Sequence, residues 1–91
     1  MSMAMPTTSL SSPSSPWTER QGQYLAFIYH YTKVNRQPPA ETDIARFFGL
    51  APPSVHRMIV DLVERGFLAR TPGAPRSLRV LVSRTELPEL Q

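Results

Sequence analysis

Three polar side chains stand close together after two consecutive prolines: Ser54, His56 and Arg57 follow Pro52 and Pro53. Arginine carries a planar fork of donors that matches guanine or phosphate. An imidazole can donate or accept a hydrogen bond, and a hydroxyl can do both. On the exposed side of a helix, such a set could contact base edges in the major groove of DNA. That chemistry requires a helix that presents these side chains to solvent.

The surrounding residues predict two short helices joined by a tight turn. The two prolines suit a first helical turn, because their missing amide hydrogens would have no intrahelical partner there. This helix is expected to stop at Gly66. A shorter helix is predicted over residues 42–48, with Thr42 as N-cap and Gly49 at the bend. The order is that of a helix-turn-helix, whose second helix can enter the major groove. The apolar face of the second helix is Val55, Ile59 and Leu62.

A longer helix is predicted before this pair. Thr18-Glu19-Arg20-Gln21 matches a capping box, in which the Thr and Gln side chains satisfy free backbone amides. Helical spacing of apolar residues continues to about Val34, and the consecutive prolines at 38 and 39 prevent a further turn. The core face of this helix is expected to be Tyr24, Phe27, Ile28 and Tyr31, with Phe47 and Phe48 of the short helix also in the core.

Two strand-like segments, residues 67–70 and 78–82, follow the helices. The loop between them is rich in Pro and Gly. A strand, a loop and a strand directly after such a helix form a wing. The predicted fold class is therefore mainly α with a small β-hairpin, a three-helix winged helix-turn-helix. Arg76, at the end of the loop, is expected to contact phosphate; Arg79 in the second strand could do the same, but strand alternation could also aim it elsewhere.

The charge of the chain favours an anionic partner. The net charge is +3, with a pI near 10.0. Between residues 17 and 82, nine Lys and Arg stand against five Asp and Glu, a net charge of +4. Nine of the ten cations in the whole chain are Arg, which binds phosphate and guanine with two parallel hydrogen bonds. This balance indicates nucleic acid.

Composition divides the chain into three parts. Residues 1–16 are rich in Ser, Thr, Pro and Met without charge, and are predicted to be a disordered tail. Residues 17–82 form the predicted folded domain, which is small enough to be only marginally stable alone. Residues 83–91 are predicted to be a flexible C-terminal tail.

The sequence does not contain the residues that metal sites, enzymes or membrane segments require. There is no cysteine, and two histidines, His30 and His56, are too few for a metal cage. We expect no metal, no cofactor and no enzymatic activity, because no paired carboxylates, Ser-His-Asp set or phosphate-binding glycine loop is found. No apolar run approaches the roughly 20 residues that a membrane helix needs, and no signal peptide is recognisable.

Residues 17–82 resemble the N-terminal DNA-binding domain of the LexA repressor family. Four motifs match in order: T-E-R-Q, then P-P before I-A-R-F-F-G, then P-S-V-H-R-M-I-V-D-L-V-E-R-G-F-L, and finally R-S-L-R-V-L. The resemblance implies a cytoplasmic prokaryotic protein that binds operator DNA as a dimer and regulates transcription. It also implies that the start of the third helix reads the major groove and that the wing approaches the backbone. The positions so implied are Pro53, Ser54, His56 and Arg57 in the helix, with Arg76 and Arg79 in the wing.

The chain departs from the family pattern in two respects. LexA carries mostly polar and acidic groups where this chain has His56 and Arg57, so its operator sequence is not expected here. The family continues into a Ser-Lys autoprotease domain that also dimerises it, and nothing in these 91 residues matches that domain. We therefore expect no self-cleavage, and at most a weak homodimer that forms on DNA.

Alternative interpretations remain open at this point. Ser54 could cap the third helix instead of contacting phosphate, and His56 could be a solvent-exposed side chain without a partner. The leading function is sequence-specific binding of double-stranded DNA by a small regulator. A winged helix can also serve as a protein–protein module, or bind DNA with little specificity as an accessory in replication or partition.

Overall fold

The computed structural model describes residues 16–91, so the predicted tail over residues 1–16 lies outside the described part except for Pro16. The elements, in chain order, are α1 (Glu19–Asn35), α2 (Glu41–Phe48), α3 (Pro52–Glu64), β1 (Leu68–Ala69), β2 (Arg79–Val80) and a 3₁₀ turn (Arg84–Glu86). The predicted fold class is confirmed: a mainly α winged helix-turn-helix with three helices and a small antiparallel hairpin.

The predicted capping box at the start of α1 is confirmed. The Gln21 amide donates to Thr18 Oγ1 at 3.1 Å, and the Thr18 amide donates to Gln21 Oε1 at 2.9 Å. The same glutamine is buried and donates from Nε2 to Asp61 Oδ2 of α3 at 2.9 Å. One side chain therefore begins α1 and also ties it to the end of α3. At the other end, Arg36 closes α1 with a left-handed φ of 63°.

The predicted N-cap of α2 at Thr42 is wrong by two residues. The helix begins at Glu41, and Ala40 occupies the N-cap position with extended backbone angles. Alanine has no side-chain acceptor, so only one of the two hydrogen bonds of a capping box can form. In that bond the Ala40 amide donates to Asp43 Oδ2 at 2.9 Å. The acidic side chains of this first turn also suit the positive end of the helix. Gly49 closes α2 at a φ of 68°, as predicted for the bend.

The core is formed by one face of each helix and is closed by the hairpin. The predicted face of α3 is completely buried. The fully buried side chains from all elements include Leu25, Ile28, Ile44, Val55, Ile59 and Leu62. Burial of each such side chain contributes about 1.5–3 kcal/mol. Phe48 packs against this core as expected, but Phe47 is 48% exposed and stacks on Phe27 with ring centroids 4.4 Å apart.

The hairpin is shorter than the sequence suggests. β1 pairs antiparallel with β2, with Leu68 opposite Val80 and Ala69 opposite Arg79. The Leu81 amide donates to the Phe67 carbonyl at 2.9 Å. Two prolines in the loop cannot donate to a ladder, so pairing does not extend toward the tip. The loop is closed instead by Ser77, whose hydroxyl accepts from the Thr71 amide at 2.9 Å.

The last residues of the chain lie against α1. Gln23 donates from Nε2 to the Glu89 carbonyl at 2.9 Å and accepts from the Gln91 amide at 2.8 Å. Leu87 and Leu90 pack against the core. The division of the chain after residue 82 stays a prediction, but the segment beyond it shares these contacts with the domain. Among residues 16–91, no helix is long and apolar enough to cross a membrane.

Candidate nucleic-acid interface

The start of α3 brings four of the predicted site residues onto one surface. Pro53, Ser54, His56 and Arg57 are all exposed, while Val55 between them is fully buried. At about 100° per residue, the four exposed positions span roughly 160° of the helix, opposite the valine. The turn at Gly49 and the packing of Val55 therefore fix which side of α3 faces solvent.

Ser54 does not cap α3. The N-cap position belongs to Ala51, whose carbonyl accepts from the Ser54 amide at 3.0 Å. The Ser54 side chain makes no hydrogen bond with any residue in the range 16–91 and is exposed on the same surface as Arg57. The capping interpretation is wrong because the prolines occupy the first two helical positions, so the serine is the third residue of the helix and not its N-cap.

Arg57 is the cation of this surface without an intramolecular partner. Its side chain is exposed and forms neither a hydrogen bond nor an ion pair within the described part of the chain. Holding a long side chain in an ion pair would compete with binding to another molecule. The guanidinium of Arg57 keeps all five donors available for a base or a phosphate.

His56 is held by a carboxylate from α2. Its Nδ1 atom lies 3.3 Å from both Oε1 and Oε2 of Glu41. The Oε2 atom of Glu41 also lies 3.7 Å from Nη1 of Arg70, which directly follows β1. The imidazole is 55% exposed, so one edge of the ring meets the carboxylate and the rest meets solvent. This cluster joins α2, α3 and the hairpin. Sequence reasoning missed Glu41 and Arg70. His56 and Arg70 follow Glu41 by 15 and 29 residues, and no local pattern connects residues so far apart.

Arg76 folds back onto the body of the domain. Its backbone has a left-handed φ of 54°, and Nη1 lies 3.0 Å from Asp43 Oδ2. The same nitrogen donates to the Tyr31 hydroxyl at 3.2 Å and to the Pro38 carbonyl at 3.3 Å. The Ala40 amide, followed by the Arg76 charge and the Tyr31 hydroxyl, lowers the pKa of Asp43. Arg76 thus ties the wing to α1 and α2, with a side chain that stays 38% exposed.

Arg79 lines a different surface. It borders a groove of about 570 Å³ between α1 and β2, together with Tyr29 and Lys33. The Lys33 ammonium lies 5.8 Å from the centre of the Tyr29 ring, and the Arg84 guanidinium beside Tyr29 lowers the pKa of that phenol. Of the two predicted wing cations, neither is joined by a hydrogen bond or an ion pair to the exposed residues of α3.

A metal centre is not formed by the residues that the structure describes. In that part of the chain, no three His, Asp or Glu side chains come together as ligands. The titratable groups near α3 are engaged in ion pairs or exposed. Arginine side chains surround the acidic first turn of α2 and the exposed start of α3. Their donors suit recognition of a polyanion.

Comparison with known proteins agrees with this geometry. Residues 14–77 match the LexA DNA binding domain family. The chain belongs to this family. It is 38% identical over 72 residues to the LexA repressor of Thermotoga petrophila, and 36% identical over 72 residues to that of Thermotoga maritima. The LexA repressor of Thermosipho melanesiensis is 38% identical over 69 residues. The three alignments cover 78%, 78% and 76% of this chain.

The chain spans only about a third of these relatives: the alignments cover 36% of the two Thermotoga proteins and 34% of the Thermosipho protein. The shared part is the winged helix-turn-helix described above. The family resemblance inferred from the four sequence motifs is therefore confirmed over nearly the whole folded region. What the full-length relatives do beyond this domain is not carried over by the match.

Proposed function

We propose that this LexA-family domain binds double-stranded DNA sequence-specifically, with α3 in the major groove, and acts as a small transcriptional regulator. The observation that carries the proposal is the exposed surface at the start of α3, where the guanidinium of Arg57 has no partner among residues 16–91. An arginine at this position of a recognition helix can bind guanine O6 and N7 together. In this proposal the domain regulates transcription by binding DNA and catalyses no reaction itself.

The proposal assigns different roles to the six predicted residues. Arg57 and His56 contact base edges, and Ser54 contacts phosphate beside Pro53 at the start of the helix. Arg76 contacts phosphate with the nitrogens that Asp43 does not hold, because only its Nη1 atom is bound inside the domain. Arg79 contacts backbone from the second strand. All of these contacts are proposals that mutagenesis can separate.

Selection of random duplexes followed by sequencing tests the proposed function. Repeated binding and amplification should enrich a defined motif, and the motif should bind more tightly than a scrambled duplex in a fluorescence-anisotropy titration. Specific sites are typically about 10³- to 10⁷-fold tighter than non-specific DNA. Salt-sensitive binding without an enriched motif would favour the low-specificity accessory instead, and absence of duplex binding would favour a protein–protein module.

Arg76→Ala should weaken binding to specific and scrambled duplexes by the same factor. A phosphate contact carries no base information, so the ratio of the two affinities is expected to stay constant. Anisotropy titrations on both duplexes measure this. Arg46→Ala is the matched control, because Arg46 also pairs with Asp43, at 3.5 Å through Oδ1, but lies on α2. A change in the affinity ratio for Arg76→Ala would mean that this residue reads bases.

The protein should be largely monomeric at micromolar concentration and should bind a palindromic site cooperatively. One domain of this kind covers about one face of the major groove, which is too few base pairs to define a genomic site. Two copies on adjacent half-sites extend the contact. Analytical ultracentrifugation of the free protein and gel shifts on half and full sites measure this. A tight dimer without DNA, or equal affinity for isolated and paired half-sites, would contradict it.

A further inference from the structure

The contact between Glu41 and His56 determines which ring nitrogen carries hydrogen. Both carboxylate oxygens lie 3.3 Å from Nδ1. An ionised carboxylate can only accept hydrogen bonds, so the neutral imidazole must carry its hydrogen on Nδ1 to bind it. The hydrogen bond that one ring nitrogen makes sets the protonation of the other. Nε2 of a neutral His56 is consequently left without hydrogen.

That second nitrogen is available to another molecule. Nε2 makes no hydrogen bond within residues 16–91, and the side chain is 55% exposed. Without hydrogen it can only accept. In the major groove, adenine N6 and cytosine N4 are donors, whereas guanine and thymine offer O6, N7 and O4 as acceptors. An imidazole held in this tautomer therefore matches an amino base and is mismatched to a keto base.

Arg70 shares the carboxylate that contacts His56. Glu41 faces the imidazole from α2, and Nη1 of Arg70, after β1, lies 3.7 Å from Oε2 of that carboxylate. Arg57 follows on α3. Arg70 offsets the negative charge of the carboxylate, which otherwise would oppose the approach of DNA phosphates. The carboxylate therefore stays available to Nδ1 when α3 approaches a polyanion.

We infer that Glu41 is a specificity-determining residue that positions His56 and fixes its tautomer, so that Nε2 reads the amino group of adenine or cytosine at one position of the DNA site. The inference rests on the proposed function, because it needs α3 in the major groove. Glu41 acts here through the histidine and is a positioning residue. Its carboxylate touches no base.

The tautomer can be measured in the free protein. At about pH 8, where an imidazole is neutral, ¹⁵N NMR distinguishes a ring nitrogen that carries hydrogen from one that does not. The expected spectrum of His56 has hydrogen on Nδ1 and none on Nε2. Glu41→Ala should give a mixture of both forms, while exposed His30 keeps its signals and serves as the internal control. The same His56 tautomer in both proteins would overturn the inference.

Duplex selection with three proteins tests the reading of the base. The wild-type motif should contain one position restricted to adenine or cytosine on one strand, so that A·T and C·G pairs are accepted there and the inverted pairs T·A and G·C are not. Glu41→Ala and His56→Ala should both lose this preference, by about two- to tenfold as for one hydrogen bond, and keep the preferences at other positions. The midpoint of thermal unfolding shows whether each variant is folded. Loss of all preferences in a folded Glu41→Ala variant would also contradict a role through His56 alone.

The proposed function and the role of Glu41 are contradicted by different results. A wild-type selection that enriches no motif overturns the proposed function and the base reading with it. An enriched motif that is the same for the wild type and Glu41→Ala overturns the inference about Glu41 and leaves the proposed function intact.

Discussion

Replacing Arg57 with alanine is expected to relax the sequence preference of the domain at the base pair that Arg57 contacts. A bidentate contact between arginine and guanine contributes about 1–3 kcal/mol of discrimination, or roughly 5- to 150-fold. No other residue in the described part of the chain engages the Arg57 side chain, so its removal should leave the fold intact. Anisotropy titrations on the selected site, and on the same site with the contacted guanine replaced by another base, measure the change in discrimination.

Arg20→Ala is the matched control for this experiment. Arg20 is also an exposed arginine on a helix, but it lies in the first turn of α1 and not on α3. Its removal lowers the net charge by the same amount and should leave discrimination unchanged. If Arg57→Ala weakens selected and substituted duplexes equally, Arg57 contacts the backbone, and the reader of the site must be another residue.

The affinity for duplex DNA is expected to fall steeply as salt concentration rises. With about 4–6 phosphate contacts per protomer, the logarithm of affinity should fall with the logarithm of salt at a slope of about −4 to −5. Between roughly 50 and 200 mM salt, this corresponds to a loss of about 250- to 1,000-fold. The net charge of +4 over residues 17–82 is the physical basis. Anisotropy titrations at a series of salt concentrations measure the slope.

A flat salt response would contradict DNA binding and favour a protein partner for the exposed surface of α3. Repeating the series with Arg76→Ala gives a second check, because removal of one phosphate contact should make the slope about 0.9 less negative. An unchanged slope would place Arg76 among the residues that only hold the wing in place, through Asp43 and Tyr31.

Local signals predicted the helices well. The capping box at Thr18, the glycine at the bend before α3 and the apolar spacing along α3 all act within a few residues, and the structure contains each of them. The N-cap of α2 was predicted two residues too late, because threonine is a preferred N-cap residue and alanine is not. The carboxylate of Asp43 reaches back to the Ala40 amide and moves the helix start upstream.

The roles of individual arginines could not be obtained in this way. The surface that includes Arg57 follows from helical spacing, but the partners of Arg76 and Arg70 lie on α2, far away in sequence. Phe47 shows the same limitation. Its apolar character predicted burial, and only the packing of α2 on α1 leaves it stacked against Phe27 with half of its surface in solvent.

By itself, the sequence determined the three helices, the hairpin, the family and the exposed start of α3, because these depend on caps, spacing and turn residues that act locally. Only the tertiary structure decided that Glu41 holds His56, that Asp43 holds Arg76 and that Arg57 is exposed without a partner in the described part of the chain. Both carboxylates belong to the first turn of α2, whereas their partners come from α3 and the wing. Such contacts form only when packing of the core brings separate elements within a few ångströms, and no local pattern encodes that distance.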